Sequence, residues 1–298
     1  MADAEATVGE VLLGRIAAQA AVLARLDEAV RADEPDAVHR MRVACRRLRS
    51  AFRTYRRLLA PGATDELVAE LRWLAAALGR ARDREVLTER LAAQARGLPP
   101  ECGPERVAAE LEDWGLTEYR RVRPEVLAAL DSPRRRALAD GLAALLADPP
   151  LRGRAGRAAG PELARVAARE QRRTAERVRS ALAGGADGPD AVEERGRALH
   201  EARKAAKRAR YAGETAVPVV GKPAERYVGR MKAVQEVLGE HQDAVVAAGA
   251  LLGRAGGSGE PFGYGVLYGL QLAAAAGARR ELPEVWARAA RPKLARFV

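Results

Sequence analysis

In "VHRMRVACRRLRSAFRTYRRLL", residues 38–59, eight arginines and a histidine stand without a single carboxylate. His39, Arg42, Arg46, Arg49 and Arg53 follow one another at steps of three and four residues. On a helix turning about 100° per residue they share an arc of roughly 80°. Guanidinium forks donate paired, charge-assisted hydrogen bonds to phosphate and carboxylate oxygens. The chemistry open to this stripe is therefore recognition of an anion with many oxygens. Met41, Ala44, Cys45, Leu48, Phe52, Tyr55 and Leu59 fall on another side of the helix and are expected to face a core.

The same order of residues returns later in the chain. The pattern H-x-x-R-x-x-x-[RK]-R-x-R starts at His39 and again, 161 residues on, at His200. The first copy supplies His39, Arg42, Arg46, Arg47 and Arg49; the second supplies His200, Arg203, Lys207, Arg208 and Arg210. Downstream, "LGRARD" (78–83) matches "LGEHQD" (238–243) at a shift of 160, which sets Arg72 opposite Lys232. Two separate motifs at nearly one offset lead us to expect an internal duplication whose halves pair about a pseudo-two-fold axis. There is one departure: Glu214 stands where the first copy has Arg53.

Three features set these stripes apart from an ordinary solvated charge run. Surface helices mix acids with bases and gain from i,i+4 pairs, whereas residues 37–60 contain no acid. His39, Arg40 and Arg42 sit in the first turns of their helix, where positive charge opposes the macrodipole. The basic pattern also persists in both copies while the apolar residues between have changed. Asp83 and Asp243, placed by the sequence just past their helix ends, are candidates either to orient an Arg or His or to serve as caps.

The elements that must hold these stripes read as helices throughout. Ala and Leu abound, aromatic residues are 4% and β-branched residues are sparse, a mix that favours helices. Periodicity and Pro/Gly punctuation predict helices near 7–32, 36–60, 64–81 and 84–97, with shorter ones to 147. A connector occupies 148–160. Further helices are expected near 161–183, 191–213, 223–239 and 242–254, with a loop at "GGADGPD". The fold class is thus all-α: two tandem four-helix-bundle-like units, 7–147 and 161–290, within one domain spanning 1–298.

Several function classes find no support. Neither a signal peptide nor a membrane span reads in the chain. Two cysteines without C-x-x-C spacing fit a reducing cytoplasm. No phosphate-binding G-x-x-x-x-G-K-[ST] loop is present and no acidic cluster stands out for Mg²⁺. His39, His200 and His241 have no i,i+3 or i,i+4 partners. No catalytic residue, metal or cofactor is expected. A net charge of +11, with 46 of 51 basic residues arginine, points to a polyanionic partner. A GC-rich genome alone would raise arginine content, so position carries the argument.

The paired motifs, "VHRMRVACRRLRSAFRTYRRLL" with "ELRWLAAALGRARD" and "LHEARKAAKRARYAGE" with "MKAVQEVLGEHQD", resemble the conserved histidine α-helical domain family, CHAD. The resemblance runs from about residue 7 to 290. It implies a compact helical domain of two four-helix units with a basic surface or pore that binds inorganic polyphosphate, as in relatives found with polyphosphate granules. Carried over by position, the phosphate-binding residues are His39, Arg42, Arg46, Arg49, Arg53, His200, Arg203, Lys207 and Arg210. Arg47, Arg72, Lys204, Arg208 and Lys232 form a second tier. The E-x-E-x-K signature of the triphosphatase domain often fused to the family is missing, which implies a stand-alone cytoplasmic binding module and not an enzyme. Nucleic-acid binding is the alternative, weakened by the scarcity of aromatic stacking platforms; a phosphate-transfer or phosphohydrolase enzyme is the remaining one. Histidines in contact with phosphate would make binding tighten as pH falls through their titration range.

Overall fold

The computed structural model describes residues 6–183 and 189–297, so the first five positions of the expected "GGADGPD" loop lie outside the described residues. The first half holds α1 (Val8–Arg31), α2 (Ala37–Thr54), α3 (Asp65–Arg96), α4 (Pro104–Asp131) and α5 (Pro133–Ala147). The second holds α6 (Ala159–Ala183), α7 (Pro189–Val220), α8 (Lys222–Ala255), α9 (Pro261–Ala289) and α10 (Pro292–Ala295). Among the described residues there are no strands, and the chain is all-α.

Local chemistry accounts for the starts. Thr7 and Glu10 cap α1 reciprocally: the Glu10 amide donates to Thr7 Oγ1 at 3.2 Å and the Thr7 amide donates to the Glu10 carboxylate at 2.8 Å. Proline lies in the first turn of α4, α5, α8, α9 and α10, where its missing N–H would have had no helical partner.

Four expected boundaries move. The basic helix ends at Thr54 and passes into a 3₁₀ turn, Arg56–Leu58, instead of running to residue 60. Unbroken helices replace the pairs expected at 64–81 with 84–97 and at 223–239 with 242–254. A lone glycine costs a helix interior only about 1 kcal/mol. Burial of Leu87, Leu91 and Ala95 beyond Gly79, and of Ala247 and Leu251 beyond Gly239, outweighs it. The helix expected at 191–213 extends over Pro189–Val220 with Pro218 inside it. The segment from 97 to 147 holds a long helix, α4, followed by the shorter α5; α9 has no counterpart among the expected elements.

Each half packs its helices in chain order, α1 on α2 on α3 on α4 and α6 on α7 on α8 on α9. The halves meet where α2 lies against α7, α1 against α6, and α3 and α4 against α9. One core fills the first half around Ile16, Met41, Leu48, Phe52 and Leu71. A second fills the other half around Tyr227, Met231 and Val234, where Ala202, Ala206 and Ala209 of α7 let neighbouring helices approach. A third, built from Leu91, Leu111, Leu251 and Leu267, joins α3, α4, α8 and α9. Gly213 of α7 is required by that closeness, since a Cβ there would fall 2.6 Å from the ring of Tyr227. Tyr55 at the end of α2 donates to the carbonyl of Ala212 in α7 at 3.3 Å, tying the two basic helices together.

Candidate functional site

The apolar side of α2 is buried as its spacing requires, with Met41, Ala44, Cys45, Leu48 and Phe52 all nearly inaccessible. The opposite side brings its cations up to those of α7. Lys207 has Arg46 and Arg42 of α2, and Arg203 and Arg210 of its own helix, as its charged neighbours. Burial first, and then repulsion from these four guanidinium groups, pushes its amine from 10.5 down to about 7. The Nε atoms of Arg46, Arg49 and Arg203 are buried without a hydrogen-bond partner. Such a concentration of positive charge destabilises the unliganded protein and favours an anion that would span both helices.

The aspartates are not helix caps. Asp83 lies inside α3 and Asp243 inside α8, and each faces an arginine of the neighbouring basic helix. Arg42 forms a two-pronged pair with Asp83, its Nη2 donating to Oδ2 at 3.3 Å. Arg203 Nη2 lies 3.6 Å from Asp243 Oδ1. In both cases the guanidinium passes over a glycine: a Cβ on Gly79 or Gly239 would stand 3.4 or 3.6 Å from it. Anything larger than alanine there would displace the arginine. Sequence reasoning named the orienting role, and tertiary packing selected it over capping.

A family model described as the CHAD domain matches residues 14–252. The chain belongs to the CHAD domain family. It is 37% identical over 248 residues to two uncharacterized proteins of Mycobacterium tuberculosis, MT2285 of strain CDC 1551 and Rv2226 of strain H37Rv. That match takes in 81% of this chain and 46% of each relative, so the chain spans about half their length. Among solved structures it is similar to PptA from Streptomyces chartreusis, with a TM-score of 0.75 at 25% identity over 95% of this chain and 100% of that one. It is also similar to the CHAD domain of the plant Ricinus communis, with a TM-score of 0.68 at 27% identity over 96% and 93%. CHAD domains are associated with polyphosphate-related proteins.

In this CHAD domain several candidate cations besides Arg42 and Arg203 are paired within the protein, Arg210 with Glu214 at 3.5 Å among them. Arg47 reaches Glu214 at 3.4 Å, Arg208 reaches Glu170 at 3.9 Å, Lys204 reaches Glu201 at 2.5 Å and Lys232 reaches Glu236 at 3.4 Å. These four, like Arg42, Arg203 and Arg210, are engaged by carboxylates of the protein itself. Among the described residues no carboxylate forms an ion pair with Arg46, Arg49, Arg53, Arg72 or Lys207. Arg49 has Arg53 and Arg72 beside it, and burial followed by those charges lowers its pKa. Arg72 of α3 therefore joins the α2 stripe, whereas Lys232 of α8 stays with its own helix.

The two histidines are placed differently. His39 is half-buried on α2. His200 is exposed, its Nδ1 paired with Gln242 Oε1 at 3.2 Å, and it lines a cavity of about 830 Å³ with His241 and Arg279. Glu214, the departure seen in the sequence, is held by Arg15 at 2.6 Å, Arg47 at 3.4 Å and Arg210 at 3.5 Å. Among the described residues no group of three His, Cys, Asp or Glu side chains is suited to a metal ion, and no helix is long and apolar enough to cross a membrane.

Sequence reasoning missed Arg56, Arg57, Arg169, Arg172 and Arg173, which gather with Arg53 and Arg208 around one cavity. Their signal was present in "REQRRTAERVR" of α6 and in "RR" after Tyr55. Neither recurs in the other copy, so the comparison of copies passed over them.

Proposed function

We propose that this CHAD domain binds inorganic polyphosphate in the groove between α2 and α7. The observation that carries this reading is the cluster around Lys207, where cations from both helices lie together and, among the described residues, no carboxylate forms an ion pair with Arg46 or Lys207, Asp243 being the acid nearby. Polyphosphate carries about one negative charge per phosphate along a flexible chain. It needs donors in series more than a shaped pocket, and arginine forks supply them. Arg42 and Arg203, oriented by Asp83 and Asp243, flank the central group. Arg46 and Lys207 supply its middle, bordered by Arg210 with its Glu214 partner, and Arg49, Arg53 and Arg72 extend it along α2. Docking releases condensed counterions, which makes the affinity salt-dependent.

The role is binding without turnover, and a protein binding polyphosphate in this way would be recruited to polyphosphate granules. The reading is tested by titrating long-chain polyphosphate, duplex DNA and single-stranded RNA at two salt concentrations. Polyphosphate is expected to bind at physiological salt at least about 10-fold more tightly than either nucleic acid, with affinity falling as salt rises. Equal affinity for nucleic acid would replace this reading with the nucleic-acid one.

A further inference from the structure

We propose that the arginine-lined cavity bounded by the end of α2, by α6 and by α7 is a second anion subsite, taking a short run of phosphates that continues from the α2–α7 groove. The inference rests on the polyphosphate reading and adds a direction to it.

The cavity holds about 650 Å³, within the roughly 300–1,000 Å³ of small-ligand pockets. Arg53, Arg56 and Arg57 reach it from the end of α2 and the turn beyond. Arg169, Arg172 and Arg173 reach it from α6, and Arg208 from α7. Seven arginines thus face three carboxylates, Asp65, Glu170 and Glu176. Buried Glu170 accounts for three of the seven, with Arg169 at 3.2 Å, Arg173 at 3.7 Å and Arg208 at 3.9 Å. Arg169 also donates to the carbonyl of Thr54 at 2.7 Å, which fixes the end of α2 against α6. Among the described residues no carboxylate forms an ion pair with Arg53, Arg56, Arg57 or Arg172. These four remain for an external anion.

Continuity with the groove comes from shared residues. Arg53 closes the α2 stripe and lines the cavity, and Arg208 has both Arg173 and Arg53 among its charged neighbours. The other end of the groove differs. There Glu214 gathers Arg15, Arg47 and Arg210. A polyanion leaving the Lys207 cluster meets neutralised charge in one direction and unpaired arginine in the other.

Calorimetric titration of long-chain polyphosphate and of tripolyphosphate tests the proposal. Arg56→Glu with Arg172→Glu alters two exposed cavity residues, and Lys222→Glu with Arg226→Glu makes the same charge change on exposed residues of α8. The cavity pair is expected to lose the cavity's share of tripolyphosphate binding, the α2–α7 groove still taking the ion, and to weaken long-chain binding at least about 10-fold; the α8 pair should change either by less than about 3-fold. Should charge reversal disturb the fold, Arg56→Ala with Arg172→Ala carries the same test, with roughly a 5-fold loss expected. Equal losses in the cavity and α8 pairs would reduce the effect to net charge and overturn the proposal. Unchanged binding in the cavity variants beside a binding wild type would overturn it and leave the α2–α7 reading standing. A wild type that binds no polyphosphate would remove that reading, and this inference with it.

Discussion

The Arg53 end of α2 and the Glu214 end of α7 stand at matching positions 161 residues apart, on helices that begin their basic stripes alike. At the first, Arg49, Arg53 and Arg72 crowd together, with no ion pair to a carboxylate among the described residues although Asp65 lies nearby, and open onto the arginines of α6. At the second, one acid gathers Arg15, Arg47 and Arg210. Like patterns of basic residues on two helices thus yield unlike electrostatics, because the neighbouring helix decides which charges are neutralised. Cations near Glu214 contribute to holding the helices together, and, on the proposed reading, the cations near Arg53 are left for a ligand.

The comparison breaks most sharply if the shared centre is removed. Arg46→Glu with Lys207→Glu should cost about 100-fold or more in polyphosphate affinity at physiological salt, with helical circular dichroism unchanged, because two fixed charges in contact with the ligand are reversed. Loss of helical signal would instead assign these residues to the fold.

Next in size is Glu214→Gln, which leaves three arginines around a neutral amide. A stability loss of about 2 kcal/mol is expected by urea denaturation, below the full cost of breaking a buried pair because the site is part-exposed. Polyphosphate should bind this variant about 3- to 10-fold more tightly, since the Glu214 end then resembles the Arg53 end. Weaker binding would show that Glu214 positions ligand-binding arginines.

The pH dependence comes from Lys207, whose amine titrates at about 7 where it would ordinarily do so at 10.5. Below pH 7 it is charged and adds to the attraction for phosphate. Affinity should therefore fall several-fold between pH 6 and pH 8.5 in the wild type, and Lys207→Met should flatten that profile. Unliganded stability runs the opposite way: from about pH 7 to 10.5 the unfolded chain holds a proton that the folded chain has released, so stability climbs with pH across that window. At pH 6 the same variant should melt higher, by roughly 2–4 °C for each kcal/mol of repulsion relieved.

The smallest effect separates two matching positions on α3 and α8. Arg72→Ala should reduce the slope of log affinity against log salt by about one, as expected for one lost phosphate contact. Lys232→Ala, whose amine is held by Glu236 at 3.4 Å, should leave the slope unchanged.

Much of this site is legible in the sequence. Helical period places His39, Arg42, Arg46, Arg49 and Arg53 on one face and Met41, Leu48 and Phe52 on another, because which residues share a face depends only on the chain's own turn. The repeated H-x-x-R pattern picks out Arg203, Lys207 and Arg210 in the same way, and the family resemblance rests on those motifs. The helix ends are less legible. Gly79 and Gly239 look like stops, yet α3 and α8 continue through them because a third core buries Leu87, Leu91 and Leu251 in the turns beyond. That continuation turns Asp83 and Asp243 from possible caps into partners of Arg42 and Arg203.

By itself, then, the sequence determined an all-α chain with two basic stripes and named the cations on each. Only the tertiary structure decided which of those cations stay unpaired. Pairing is set by residues far apart in the chain, Arg15 with Glu214 and Glu170 with Arg208, and no local period encodes their distance. The environment of Lys207 has the same origin: an exposed lysine on one helix becomes a desolvated amine titrating at about 7 only when a second helix brings Arg42 and Arg46 against it.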